Sequence, residues 1–247
     1  MLKRLYEKSK IIFAVLWIVL YCVLMSVGDA LSTALGVEKS VTLGVALVLS
    51  LVLLFFLKKN GLLSEYGITR PAATAREMLY YIPVFVMLTA NFWCGAALNY
   101  DATETVLYIL TMLLVGFLEE IIFRGLLFLA MRKDSPVAAV IVSSITFGIG
   151  HIINLINGSG AELVPSILQV VYATAAGFMF VMIYLKSKSL IVPIIAHGVF
   201  NAVSAFSAEA TAAPEARILC AAFLTVITGS YAAYLAITLK KGENKTD

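Results

Sequence analysis

Eight stretches of this chain are each long and apolar enough to cross a lipid bilayer, and that repetition constrains the fold more than any other feature. A crossing helix needs about 20 mostly apolar residues at about 1.5 Å per residue. The stretches are 11–35, 41–57, 79–98, 105–130, 136–155, 163–185, 190–206 and 217–239. Strands are not expected, because an open sheet edge leaves backbone groups unsatisfied in lipid. The sequence therefore predicts an all-α polytopic membrane protein: a bundle of eight transmembrane helices, with 1–247 as a single integral membrane domain. Composition agrees. With 61% hydrophobic and 13% charged residues, the chain has about half the charge of a soluble domain. It is also far too apolar for disorder. A net charge of +3 with no basic stripe argues against a nucleic-acid partner. The first stretch follows Lys3, Arg4, Lys8 and Lys10. It is longer than the about 7–15 apolar residues of a signal peptide, so it reads as a retained helix.

The loops test this division independently. Basic residues favour the cytoplasmic side of a membrane. Alternate connections carry Lys3, Arg4, Lys8 and Lys10, then Lys58, Lys59, Arg70 and Arg76, then Arg132 and Lys133, Lys186 and Lys188, and finally Lys240, Lys241 and Lys245. Those are fifteen of the eighteen basic residues. The intervening loops hold Lys39 and Arg217 among six acids. The expectation is a plasma-membrane protein with both termini in the cytoplasm.

Ionisable residues inside such spans are costly and mark function by default. The fourth span has Glu119, Glu120 and Arg124 within six residues. Glu120 and Arg124 are at i, i+4 with the acid first, the favourable order for a helical ion pair. Glu119 is rotated about 100° away, toward Phe123, and is left available. The fifth span has Phe147 and His151 one turn apart, then Asn154, with Gly148 and Gly150 expected to admit a neighbouring helix. The seventh has His197 and Asn201 stacked at i, i+4. Counted from the span ends nearest the basic loops, these residues lie roughly 10–22 Å deep. That allows one shared site, expected toward the cytoplasmic half.

Such a cluster suits attack of water on a carbonyl. Glu119 would take the proton from a water also held by His151 and pass it to the leaving amine. His197 and Asn201 would donate to the developing oxyanion. Alternatively Glu119, His151 and His197 could hold a zinc ion with an open position for water, although no local spacing supports a metal. The favoured chemistry requires no cofactor. Lone intramembrane histidines and single Glu–Arg pairs are more often structural. The joint occurrence in three spans, using both histidines of the chain, favours function. Asn91 and Gln169 read as helix–helix hydrogen-bonding residues, and Ala173-x-x-x-Gly177 as a packing seam. Cys22, Cys94 and Cys220, odd in number and within apolar runs, read as small hydrophobes and not as a disulfide framework.

Glu119-Glu120-x-x-x-Arg124, Phe147-x-x-x-His151 and His197-x-x-x-Asn201, in this order on separate helices, resemble the CAAX protease and bacteriocin-processing (CPBP or Abi) family. Gly67-Ile68-x-Arg70-Pro71 resembles a stretch found upstream in bacterial members. The likeness covers 105–206, the expected core. It implies an eight-helix intramembrane endopeptidase in which Glu119 and His151 activate water and His197 and Asn201 form the oxyanion hole. Glu120, Arg124, Phe147 and Asn154 would support them. Its substrate would be a peptide or membrane protein in the lipid bilayer, linked in bacterial relatives to bacteriocin maturation, immunity or peptide signalling. Two other readings use the same residues: a non-enzymatic immunity or peptide-binding protein, and a proton-coupled transporter. Against the transporter, the sequence has no paired repeats.

Overall fold

The computed structural model describes residues 2–72, 82–155 and 162–243. Its helices are α1 (Leu2–Lys8), α2 (Lys10–Leu35), α3 (Ser40–Lys59), α4 (Ile82–Leu88), α5 (Ala102–Glu119), α6 (Leu129–Arg132), α7 (Pro136–Gly150), α8 (Leu163–Ser187), α9 (Ile191–Val203) and α10 (Pro214–Glu243). No strand forms among the described residues; one isolated bridge joins Ala96 to Ser207. The protein is thus an all-helical, polytopic membrane protein.

Helix starts follow local chemistry. The side chains of Ser9, Asp101 and Ser135 accept hydrogen bonds from the backbone amides of Ile12, Glu104 and Ala138. Each satisfies a donor that the first helical turn leaves free. Pro136 at the start of α7 lacks an amide that would have had no partner. Six helices are long and apolar enough to cross a bilayer among the described residues: Lys10–Leu35, Ser40–Lys59, Ala102–Arg132, Pro136–Ile153, Leu163–Ser187 and Pro214–Leu239. Less than half of each is buried within the protein, and outward positions such as Leu47, Phe55, Val106 and Val226 are apolar, as lipid contact requires.

The other two expected spans are shorter apolar helices, Ile82–Phe92 and Ile191–Phe206. Residues 79–81 of the third stretch lie outside the described residues. At 13 residues, α9 rises only about 20 Å, short of the about 30 Å hydrocarbon core.

The fourth span also departs from uniform α-helix. After Glu119 the chain winds as a π-helix over Glu120–Phe128 before α6 resumes α geometry. Every residue of this segment is buried. The π turn, with i→i+5 hydrogen bonds, is rare and often found at functional positions.

Close contacts bring the motif helices together. A methyl group on Gly116 of α5 would stand 2.5 Å from the backbone of Gly198 in α9. Gly148 of α7 lies hard against Thr174 of α8, and Gly177 against Ser144. The expected seam at Gly177 is therefore a true α7–α8 contact. Gly150, also expected to admit a neighbour, has nothing within 4 Å of the equivalent position; it faces a cavity instead.

The two ends of the bundle differ. On the side of the basic loops, Gly67 takes a positive φ of 68°, which a side chain would strain. This lets the loop fold onto the α8–α9 turn: the Leu190 amide donates to Gly67 O (2.8 Å), the Ala72 amide to Ser187 O (2.9 Å), and Ser189 Oγ to Thr69 O (2.6 Å). On the opposite side, the Ala97 amide donates to Phe206 O (2.9 Å) and Asn99 Nδ2 to Ala205 O (3.1 Å), tying down the chain after α9. Asn91 Nδ2 donates to Phe200 O (2.7 Å), an interhelical bond of the expected kind.

Candidate active site

Three motifs from α5 and its π continuation, α7 and α9 meet in mid-bundle. Glu120 and Arg124 are fully buried. Arg124 Nη1 lies 3.1 Å from Glu120 Oε1, so the predicted i, i+4 ion pair survives π winding. Arg124 Nη2 also donates to Gly177 O of α8 (3.3 Å). The same Glu120 Oε1 lies 2.9 Å from His197 Nδ1. A carboxylate facing Arg124 is an acceptor only, so Nδ1 carries the proton and donates it. Glu120 thereby links two motifs and fixes the orientation of the His197 ring.

Phe147 gives the first residue of its motif a physical task. The Arg124 guanidinium sits 4.1 Å from the Phe147 ring centroid, a cation–π contact that offsets the loss of water. The rings of His151 and His197 meet Phe147 edge-on at 5.2 and 5.4 Å. Phe180 of α8 stacks on His197 at 5.2 Å. His151 Nδ1 lies 3.1 Å from Phe147 O. Because a carbonyl only accepts, this nitrogen carries hydrogen, leaving Nε2 free of that bond.

Glu119 stands apart from the Glu120 network. Its Oε1 accepts a 2.7 Å hydrogen bond from the hydroxyl of Tyr21 in α2. Its Oε2 is buried without a hydrogen-bond partner and lies 3.4 Å from His197 Nε2, beyond good hydrogen-bond length. Glu119, Phe123, Phe147, His151 and Asn201 share the wall of a cavity of about 300 Å³. His151, His197 and Asn201 also line a smaller adjoining space of about 40 Å³. Glu119, His151, His197 and Asn201 therefore converge, as predicted, with Glu120, Arg124 and Phe147 supporting the two histidines. Asn154 lies in the 3₁₀ turn after α7, but its side chain is outside the described part of the structure.

Tyr21 and Phe180 were missed by the sequence reading. Phe180 is one aromatic in an apolar helix, with no spacing to mark it. Tyr21 carries a faint signal, a hydroxyl within the most lipid-like part of the first span, but its partner is 98 positions away. Among the described residues no group of three His, Cys, Asp or Glu side chains is placed to hold a metal ion.

Two cysteines also depart from expectation. Cys94 Sγ and Cys220 Sγ lie 3.2 Å apart, so they are neighbouring thiols and not two unrelated hydrophobes. Neither is in a disulfide.

Residues 101–203 match the family model described as "Type II CAAX prenyl endopeptidase Rce1-like". That segment spans α5 to the end of α9 and contains all three motifs. Over this segment, less than half of the chain, the protein is similar to that family. A relative from Bacillus subtilis (strain 168), named "Putative membrane peptidase YdiL", is 38% identical over 97 residues. The match covers 38% of this chain and 34% of that protein, about a third of the relative's length. No solved structure matches the chain. The family match excludes α2, so the Tyr21 contact to Glu119 lies outside it.

Proposed function

We propose that this chain is an intramembrane endopeptidase that hydrolyses a peptide bond with water activated by Glu119 and His151. The observation that carries the reading is the placement of the Glu119 carboxylate: one oxygen is held by Tyr21, while the other is buried without a hydrogen bond, 3.4 Å from His197 Nε2, on a cavity shared with His151 and Asn201. A water between Glu119 Oε2 and His151 Nε2 loses a proton to Glu119 as its oxygen attacks the scissile carbonyl. Negative charge then develops on the carbonyl oxygen. Asn201 and His197 supply its hydrogen bonds in a low-dielectric site, where such donors act most strongly. Collapse of the tetrahedral intermediate breaks the C–N bond, and Glu119 returns its proton to the departing amine.

His197 Nδ1 is held by Glu120, which pairs with Arg124. Glu120 and Arg124 thus hold the donor in place and do not touch the substrate.

The protein crosses the membrane eight times in this reading, with the helices Ile82–Phe92 and Ile191–Phe206 completing the set. The basic loops and both termini are cytoplasmic in the bacterial plasma membrane. The substrate is a peptide or membrane protein, with bacteriocin processing or self-immunity as the associated roles. Glu119→Gln keeps the side-chain volume and removes the base. Cleavage by the purified, reconstituted variant should fall by at least about 100-fold while the protein still inserts and folds. Cleavage at the wild-type rate would end this mechanism. Activity lost on chelation and restored by zinc would replace it with a metal-based one.

A further inference from the structure

The cavity beside Glu119 extends toward the end of the bundle opposite the basic loops. Below Glu119, all nine residues from Glu120 to Phe128 are buried. Tyr66, 1% exposed, fills the space beside Gly125, and its hydroxyl reaches that of Tyr6 at 3.0 Å. The clasp between 67–72 and 187–190 lies beyond it.

In the opposite half the cavity of about 300 Å³ runs from Glu119 past Cys22, Ser26 and Thr111 to Asp29, Lys39 and Tyr108. Each of these lies toward the α2–α3 turn or the start of α5. The order along α2 is decisive: Tyr21 touches Glu119, and Cys22, Ser26 and Asp29 then line the wall in sequence toward Gly36 at the helix end. The distance from Cys22 to Asp29 is about 10 Å at 1.5 Å per residue. At the rim Lys39 is already bound to Asp29 (2.8 Å) and Glu38 (3.4 Å). Burial alone would lower its ammonium, but these two acids hold it above its ordinary value.

We infer that the substrate reaches Glu119 from the extracytoplasmic side, as a peptide segment entering between α2 and α5 beside Asp29 and Lys39. The inference rests on the peptidase reading, and on the basic loops marking the cytoplasm. It differs from the expectation that depth alone suggested, because distance from a membrane face does not say which face the space connects to. With the ammonium of Lys39 occupied by two acids, the rim suits the interior of a peptide chain and not capture of a free terminal carboxylate. Exported peptides and the outer ends of membrane proteins are the matching substrate class.

Thiol labelling tests the route. A chain with Cys94→Ser and Cys220→Ser keeps Cys22 as its single cysteine, and adding Cys22→Ser with Ser26→Cys moves the reporter one turn nearer the rim. A membrane-impermeant sulfonated methanethiosulfonate is applied to intact cells and, separately, to inside-out vesicles, with a third chain, Lys241→Cys with Cys22, Cys94 and Cys220 all replaced by Ser, reporting orientation. Both cavity positions should be modified from outside the cells at least about ten times faster than from the vesicle exterior, with the Lys241 position reversed. Modification only from the cytoplasmic face, equally from both, or from neither at both positions overturns the route. Labelling is read without cleavage and repeated in Glu119→Gln. An inactive protein labelled from outside therefore sinks the peptidase reading and keeps the route, whereas a cleaving protein labelled from inside does the reverse.

Discussion

Replacing Tyr21 with Phe removes one oxygen atom and leaves the ring that packs α2 into the bundle. The lost group donates at 2.7 Å to Glu119 Oε1. Hydrogen bonds to an ionised group are worth about 1.5–3 kcal/mol. Glu119 is only 12% exposed, so bulk water replaces the donor poorly. If that bond holds the carboxylate with Oε2 toward the reacting water, its loss acts on the chemical step. At about 1.4 kcal/mol per tenfold, kcat should fall roughly 10- to 150-fold. KM should change less than about threefold, because Tyr21 positions Glu119 and does not bind the substrate. The assay is cleavage of a fluorogenic peptide by reconstituted protein under single-turnover and steady-state conditions. Thermal unfolding is measured alongside to show that the fold persists. A Tyr21→Phe protein with kcat within twofold of wild type would refute the positioning role. So would a loss confined to KM.

Arg124→Met leaves Glu120 buried opposite His197 alone and should cost about 3–5 kcal/mol of stability, read as a lower melting temperature in detergent; adding Glu120→Gln should recover at least half of it. Gly116→Ala sets a methyl 2.5 Å from the Gly198 backbone and should cost about 1–3 kcal/mol, with reduced cleavage because Gly198 adjoins His197. Gly229→Ala, with nothing within 4 Å, should leave both stability and cleavage near wild type. Cys94 and Cys220 should form an intramolecular disulfide with an added disulfide oxidant, passing two electrons to it and releasing two protons. Because attack needs the thiolate, the rate should rise as the pH is raised above neutrality. Alkylation and mass spectrometry would read this, and a pH-independent rate or only intermolecular products would contradict the pairing.

The membrane class, the helical fold, and the residues that converge were legible because each rests on a local rule. An apolar run must be helical in lipid, and Glu119, Glu120, Arg124, His151 and His197 are conspicuous against it because insertion makes charge expensive. The Glu120–Arg124 pair was readable from i, i+4 spacing alone. The π winding over Glu120–Phe128 was not, since hydropathy has the same sign for α and π turns. Nor does apolar composition give the length of regular helix, which is 13 residues in α9. Tyr21, Phe180 and the Cys94–Cys220 pair come from contacts between distant parts of the chain, to which no local spacing corresponds.

The sequence by itself thus determined what had to be inside: a bundle in lipid, carrying a small polar set with both histidines. Tertiary structure decided how those groups are used. It divided the two adjacent carboxylates, placing Glu120 between Arg124 and His197 and handing one oxygen of Glu119 to Tyr21. It also placed beside Glu119 a cavity that reaches toward the α2–α3 turn. The reason is physical: insertion cost depends on composition along the chain, whereas a carboxylate's role depends on which donors from other helices reach each oxygen.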